Sequence, residues 1–534
     1  MGAADSDRVT AERRALTSRA GVVALGTLAS RILGLGRDLV LAAAFSRGAT
    51  DAFMVAFTIP NTLRQLLAEG AVQTAVLPVL AKTREQEGPE AARRFFAAAR
   101  GVSIAALLAV SVLGVLFAGQ LVDLFAVGFR SEPGQSERTA TLTRWLFPYI
   151  FFMGTAAFGS AALNSEKRFV VTAFAPGLLN VACIACALLL PGTLVAHGED
   201  PILSMAFGAL LGGVLQVVAQ WPSLIQVRYF DRPTLSFAHP GVREALRRMG
   251  PVVAGLGIYL MDVVVARRFL SELGVGAQTY FGFALRLCDF PQGIFVMAIQ
   301  TAALPSLAAL SARGDREALE STYAFGVRLT LFVAIAATAL FVFLAEPIVA
   351  LLFQRGEFDA VATHETARAL VAQGLGIWTV AIVRQLLAVY FAIGDTRTPV
   401  VVSLLDFGAF IALALVLRGP LGHVGIGYAV AGSSAVQMLL LWTRLRSHLG
   451  SLRLREIGHS ATRTLGASLL AGGAGWLVAG LTEHHLRFPP ALGHILPGAA
   501  GATAFLAVYL GVSHAAGSEE LAMVLSSVRR RRRT

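Results

Sequence analysis

Apolar runs recur along this chain from end to end, separated by short polar connections rich in arginine. Each run reaches about 20 residues, the length that the hydrocarbon core of a bilayer requires of a helix. GVSIAALLAVSVLGVLFAG (101–119), LLNVACIACALLLPGTLVA (178–196) and LTLFVAIAATALFVFLAE (329–346) are continuously apolar. They do not alternate, which predicts helices and argues against a membrane β-barrel. Fourteen spans are predicted, at 21–45, 52–80, 95–118, 141–163, 169–191, 201–223, 246–270, 277–307, 326–346, 363–391, 398–418, 422–444, 462–482 and 494–514. The first run, GVVALGTLAS, follows arginines in the manner of a signal peptide. No A-x-A cleavage site follows it, and apolar sequence resumes after Arg31, so it reads as the start of helix 1.

The pattern also repeats. AVQTAVLPVLA (71–81) returns as AIQTAALPSLA (298–308), 227 residues later. DLVLAAAF (38–45) resembles DVVVARRF (262–269), and GLLN (177–180) resembles SLLD (403–406). Similar shifts in the same order predict two homologous six-helix lobes followed by two extra helices. The expected layout is a segment 1–20, a lobe 21–225, a linker 226–245, a second lobe 246–445, helices 13 and 14 within 446–515, and a tail 516–534. An even number of helices per lobe relates the lobes by an axis along the membrane normal. Paired lobes are the architecture of alternating-access transporters, whose sites lie near the midplane.

Composition agrees. The chain has 534 residues, 55% of them hydrophobic and 15% charged, where an ordinary soluble domain has about 25% charged. Mean hydropathy is +0.66. The net charge of +12 comes almost wholly from arginine; the only lysines are Lys82 and Lys167. Such basicity suits nucleic acid or acidic lipid, but the positive-inside rule explains it better. Arginine and lysine gather in one set of connections and in the tail Arg529 to Arg533, while alternate connections such as LLPGTLVAHGEDPILS are poor in them. Both termini are then expected on the cytoplasmic side. Cys183 and Cys186 form a CxxC inside an apolar run with no second pair or histidine nearby, which reads as helix packing rather than a metal or redox site. No Walker A motif occurs.

Charges inside the spans carry the functional information, because an arginine at the bilayer centre costs about 2.5–3.5 kcal/mol on insertion scales. Helix 1 has Arg31, Arg37 and Asp38; helix 2 has Asn61, Arg64 and Glu69; helix 8 has Arg286. Asn61, Gln65 and Glu69 share one helix face at i, i+4, i+8, with Arg64 beside it. The expectation is a polar, net cationic cavity. A guanidinium suits phosphate through two parallel hydrogen bonds. The alternative is that Arg37 pairs with Asp38, and Arg64 with Glu69, as internal struts. Asp262 and Asp406 are lone acids on helices 7 and 11, read either as a Na⁺ or H⁺ coupling site or as buried polar contacts. Gly34, Gly36, Pro60 and Pro291 are candidate hinges.

These residues carry a resemblance. The run SRILGLGRDLVLAAAFSRGATDAFMVAFTIPNTLRQLLAEGAVQTAVLPVL resembles the signature of the MurJ (MviN) family, the lipid II flippases of bacterial cell-wall synthesis. RLCDFPQGIFVMAIQTAALPSL resembles the family's helix 8, FQRGEFD (353–359) its helix 9–10 loop, and FAIGDTRTPV (391–400) its helix 10–11 turn. The resemblance implies the multidrug/oligosaccharidyl-lipid/polysaccharide exporter fold and no enzymatic activity or bound cofactor. It carries the family's functional arginines onto Arg31, Arg37, Arg64 and Arg286, and other motif positions onto Asp38, Asp51, Asn61 and Glu69. The chain departs from the pattern at Gln65 and Leu285, where the family often has a basic and an acidic residue. The implied partners are lipid II, membrane lipids and cell-wall synthesis proteins, in the bacterial inner membrane. Rival readings are a flippase for another polyprenyl-linked glycan, a multidrug antiporter of the same fold, which should show an acidic cavity, and a transferase acting on lipid-linked sugars, which would show clustered acids for a metal.

Overall fold

The protein is a polytopic all-α membrane protein. The computed structural model describes residues 3–65, 72–450, 452–485, 493–523 and 526, and no strand occurs among them. The first helices are α1 (Ala3–Ala44), α2 (Arg47–Arg64), α3 (Leu77–Glu87), α4 (Pro89–Leu116), α5 (Ala118–Ala126), α6 (Gln135–Leu146) and α7 (Pro148–Ser165). Then come α8 (Val170–Leu189), α9 (Pro191–Ala196), α10 (Leu203–Gln226) and α11 (Pro240–Ser271). The remainder are α12 (Ala277–Pro291), α13 (Met297–Ala312), α14 (Arg316–Phe343), α15 (Ala345–Phe353), α16 (Ala360–Gly374), α17 (Ile377–Ala392), α18 (Arg397–Leu421), α19 (His423–Leu449), α20 (Leu454–His485) and α21 (Leu496–Ala515).

Among the described residues, eleven spans are long and apolar enough to cross a membrane. They correspond to predicted helices 3–6 and 8–14. Predicted helices 1, 2 and 7 lie in α1, α2–α3 and α11, and each carries charge within its span. Large apolar side chains such as Leu189 and Val416 lie exposed on the surface, which is stable only where lipid covers it.

The repeat is visible in the helix boundaries. α4 and α14 are both 28 residues long, and α5 and α15 are both nine. Their start points, Pro89 and Arg316, then Ala118 and Ala345, keep the 227-residue shift of the sequence repeat. Span 4 is interrupted at Phe147, before Pro148, and span 10 at Leu375, again at nearly the same offset. Winding also changes at equivalent residues: a π turn appears at Gln65, after α2, and at Gln292, directly after Pro291. A second π segment covers Val72–Val76.

Small residues let the helices approach closely, the usual device where lipid offers no hydrophobic drive between helices. Gly208 and Gly212 of α10 face the α-carbons of Cys183 and Leu179 on α8, where an added Cβ would stand 2.6 Å away in each case. The CxxC thiols are thus unbridged packing groups on α8.

The chain forms two compact units, Met1–Glu272 and Leu273–Thr534. The stretch 226–245, expected as the linker between lobes, and α11, expected to open the second lobe, therefore both lie within the first unit. α11 packs against α3, α4 and α5, with a close approach at its end. The Gly128 N–H donates to Ser271 Oγ at 3.1 Å. A Cβ at Gly128 would meet the Ser271 carbonyl at 2.3 Å.

In the second unit, the last helices are fastened to α14. The Tyr509 hydroxyl of α21 donates to the Phe332 carbonyl at 2.6 Å. Beyond α21, Glu520 is almost fully buried. It accepts from Arg328 Nε at 2.9 Å, Arg463 at 3.0 Å, and the Ser460 and Ser518 hydroxyls, each at 2.8 Å. Burial alone would raise its pKa, but hydrogen bonds from its own backbone, Ser518, Ser460 and Arg328 outweigh that and bring it down to about 2. A depressed carboxylate pKa stabilises the fold above the unfolded value, about 4.3 for glutamate, and the contribution fades as pH falls toward the folded value. The thermal stability of the detergent-purified protein should therefore fall as pH drops from about 4.3 to about 2. Glu520→Gln should lower Tm at neutral pH and flatten that part of the pH curve; an unchanged curve refutes the clamp.

Candidate functional site

The N-terminal charges are positioned by α1 and α2. α1 runs without interruption from Ala3 to Ala44, so Gly34 and Gly36 do not break it. They provide a flat face toward α8. A Cβ at Gly34 would lie 3.7 Å from the Asn180 amide, and one at Gly36 would lie 3.7 Å from Ile184. Asn180 donates to the Ser30 carbonyl at 3.1 Å, pinning α8 to α1 one residue before Arg31. Arg31 itself is half-buried.

Arg37 and Asp38 are both buried. Arg37 donates to Asp38 Oδ1 through Nε at 3.0 Å and Nη2 at 2.7 Å. Its guanidinium also stands 5.8 Å from the centre of the Phe57 ring, and Phe57 packs against buried Tyr149. A cation over an aromatic face is attracted to the ring quadrupole. The guanidinium is thus held on one side by a carboxylate and on the other by an aromatic wall from α2 and α7. Sequence reasoning raised the pair with Asp38 and missed Phe57, although DAFMVAF lies inside the motif that drew attention.

On α2, Ser46 caps the helix and accepts from Ala49 N–H at 3.4 Å. Asp51 is fully buried one turn in. Helical winding continues through Pro60 to Arg64. Arg64 Nε donates to Asn61 Oδ1 at 3.0 Å, and both side chains are half-buried. The i, i+3 spacing places them together, and the amide fixes one edge of the guanidinium fork. Glu69, the expected partner of Arg64, lies outside the described residues.

Arg286, Pro291 and Asp406 belong to the second unit. Arg286 is exposed on α12, five residues before Pro291. Asp406 sits against Ser433 of α19. Its Oδ1 is buried without a hydrogen bond among the described residues. Asp262 is half-buried on α11, in the first unit. The structure thus joins Arg37 with Asp38 and Arg64 with Asn61. The counterpart of Asp406 in the repeat is Asn180, which spends its amide on a backbone carbonyl. Among the described residues no group of three or more His, Cys, Asp or Glu is placed to hold a metal ion.

The comparisons bear on this arrangement. The family model described as lipid II flippase MurJ matches residues 41–491. The chain belongs to the lipid II flippase MurJ family. A lipid II flippase MurJ from Burkholderia cenocepacia is 33% identical over 501 residues, covering 91% of this chain and 94% of the relative. A probable lipid II flippase MurJ from Rhizobium meliloti is 31% identical over 528 residues, covering 96% of each. Among solved structures, a lipid II flippase MurJ in an inward closed conformation superposes with a TM-score of 0.74 at 21% identity, over 92% of this chain and 97% of that one. An inward-facing MATE family multidrug resistance transporter gives 0.63 at 17% identity, over 80% and 96%. At those identities the two structures speak to the fold alone.

Two outcomes follow for this MurJ-family chain. Asp38→Ala leaves a buried arginine without its carboxylate, a loss of about 3–5 kcal/mol. Asn61→Ala removes one hydrogen bond from a half-buried arginine and costs about 1 kcal/mol. Tm measurements on the purified variants should rank them in that order, and equal Tm values contradict the pairing. Gly34→Ala and Gly36→Ala meet nothing closer than ordinary contact and favour helix by up to about 1 kcal/mol each. They should hold or raise Tm. A loss of transport at unchanged Tm then marks α1 as a helix that must bend during the cycle.

Proposed function

We propose that this chain moves lipid II, the undecaprenyl-pyrophosphate-linked disaccharide-pentapeptide, from the cytoplasmic to the outer leaflet. It is a membrane transporter and not an enzyme. The observation that carries the reading is the set of arginines held inside spans of a chain that belongs to the MurJ family over residues 41–491. Arg31, Arg37, Arg64 and Arg286 are the residues assigned to the pyrophosphate and the adjoining sugar. Planar guanidinium forks match phosphate oxygens through paired hydrogen bonds. Asn61 orients Arg64, and Asp38 with Phe57 orients Arg37, so each fork reaches the substrate with less rotamer entropy to lose. Asp51 and Glu69 are assigned to structuring the same site.

A multidrug antiporter of this fold would need acids for cationic drugs. The motif region presents arginines, which favours an anionic substrate. On α20 and α21, Trp476, Leu477, Leu481, Leu506 and Leu510 are exposed, an apolar wall suited to a polyprenyl tail. Both termini are assigned to the cytoplasmic side by the distribution of arginine. Each negative charge carried outward gains about 2.3 kcal/mol per 100 mV when the inside is negative, so the membrane potential favours the direction. Asp262 and Asp406 are assigned to a Na⁺ or H⁺ coupling ion. Membrane lipids surround the protein, and proteins of cell-wall synthesis are its expected functional partners.

The test is complementation of a bacterium depleted of its own lipid II flippase, with the leaflet accessibility of lipid II read directly. The wild-type chain should restore growth and outer-leaflet lipid II. Arg64→Ala and Arg286→Ala each remove a charge-assisted hydrogen bond of about 1.5–3 kcal/mol, a roughly ten- to hundredfold slower transport. Variants that express normally and transport at the wild-type rate overturn the arginine assignment. Failure of the wild-type chain to alter lipid II accessibility overturns the substrate. The same assay with and without Na⁺, on Asp406→Asn, decides the ion: sodium stimulation that survives the substitution removes Asp406 from the coupling site.

A further inference from the structure

A crevice on the first unit lies away from the motif arginines. It is formed by α4, α7, α10 and the segment that follows α10, and its lining includes Arg100, Thr155, Gly159, Gln220, Trp221 and Phe230. The segment lies directly on α4. Thr234 N–H donates to the Ala97 carbonyl at 3.1 Å, and a Cβ at Gly101 would meet the Thr234 carbonyl at 2.3 Å. That contact brings Phe230 over Arg100, whose guanidinium stands 5.5 Å from the ring centre. Trp221 meets Phe230 edge to face at 5.7 Å, and both aromatics are exposed on their outer sides.

Two polar groups here lack a hydrogen-bond partner among the described residues. Arg100 is half-buried and makes no hydrogen bond or ion pair among the described residues, neighbouring Asp231 included. Gln220 is 1% exposed, and its Oε1 is buried with no hydrogen bond. Gly159 leaves the room for it, since a Cβ there would stand 2.3 Å from that oxygen. A half-buried guanidinium wants an anion, and a buried amide oxygen wants a donor. The depth of the crevice is informative. Arg100 lies seven residues beyond Arg93 on α4, about 10 Å at 1.5 Å per residue, near the start of the expected apolar span 95–118. Trp and cationic side chains with apolar stems settle at that level. On α4 and α10, Leu108, Val112, Leu211, Leu215 and Val218 are exposed, apolar surface for acyl chains to cover.

We propose that this crevice binds one anionic glycerophospholipid with a hydroxyl-bearing headgroup, of the phosphatidylglycerol type. Arg100 takes the phosphodiester, a headgroup hydroxyl donates to Gln220 Oε1, and Trp221 and Phe230 flank the glycerol. The occupant is a resident lipid, separate from the transported one.

Native mass spectrometry of the full-length protein in detergent, titrated with phosphatidylglycerol, phosphatidylethanolamine and phosphatidylcholine, tests this. The wild type should retain phosphatidylglycerol preferentially. Arg100→Gln should lower that retention about fivefold or more, the loss of one charge-assisted contact, and Arg100→Lys should keep most of it. Equal retention of the three lipids by the wild type, a preference for phosphatidylethanolamine, or wild-type retention by Arg100→Gln overturns the proposal. Displacement by inorganic phosphate overturns the lipid assignment in favour of a free-anion site. Should Arg100→Gln fail to fold, brominated phosphatidylglycerol should quench the wild type more than Trp221→Phe. Brominated phosphatidylcholine should quench both alike. Equal quenching by the two brominated lipids refutes the site.

Discussion

A guanidinium inside a bilayer must be given a counterion, an aromatic face or a ligand, and the first unit is arranged around that requirement. Arg37 has the first two, from Asp38 and Phe57. Arg64 has a neutral amide along one edge. The two contacts differ in kind: a carboxylate neutralises the charge, whereas an amide orients one edge of the fork. Local helix geometry supports both: adjacent residues for one pair, one turn of helix for the other.

The same requirement explains which parts of the fold were legible in the sequence. Continuous apolar runs gave the eleven hydropathic spans, because lipid exposure demands such runs and little else. Helices 1, 2 and 7 were legible through the charges they carry. The repeat was readable from three short similar stretches, 71–81 with 298–308 above all, and is clear in the lengths of α4 and α14 and of α5 and α15. The candidate arginines could be named because charge inside a span is rare and costly.

What the sequence withheld depends on side chains meeting across helices. Gly34 and Gly36 read as weak points in α1, yet a glycine pair in a membrane helix serves equally as a docking face, and α8 occupies it. Phe57 is one of 33 phenylalanines, and nothing in its spacing says that it lies beside Arg37. Glu520 meets Arg328 across 192 residues, and a polar residue so near the tail resembles any other surface acid. α11 packs against α3, α4 and α5 of the first unit, and at its end Gly128, lacking a side chain, admits the Ser271 backbone.

The π turns at Gln65 and Gln292 form a matched pair. A π turn is equivalent to one residue inserted into an α-helix, and such insertions locally spoil the hydrogen-bond ladder. The two occur at positions that match under the 227-residue repeat. The same irregular winding thus stands at matching positions of the repeat, although Arg64 precedes it in one case and Pro291 in the other.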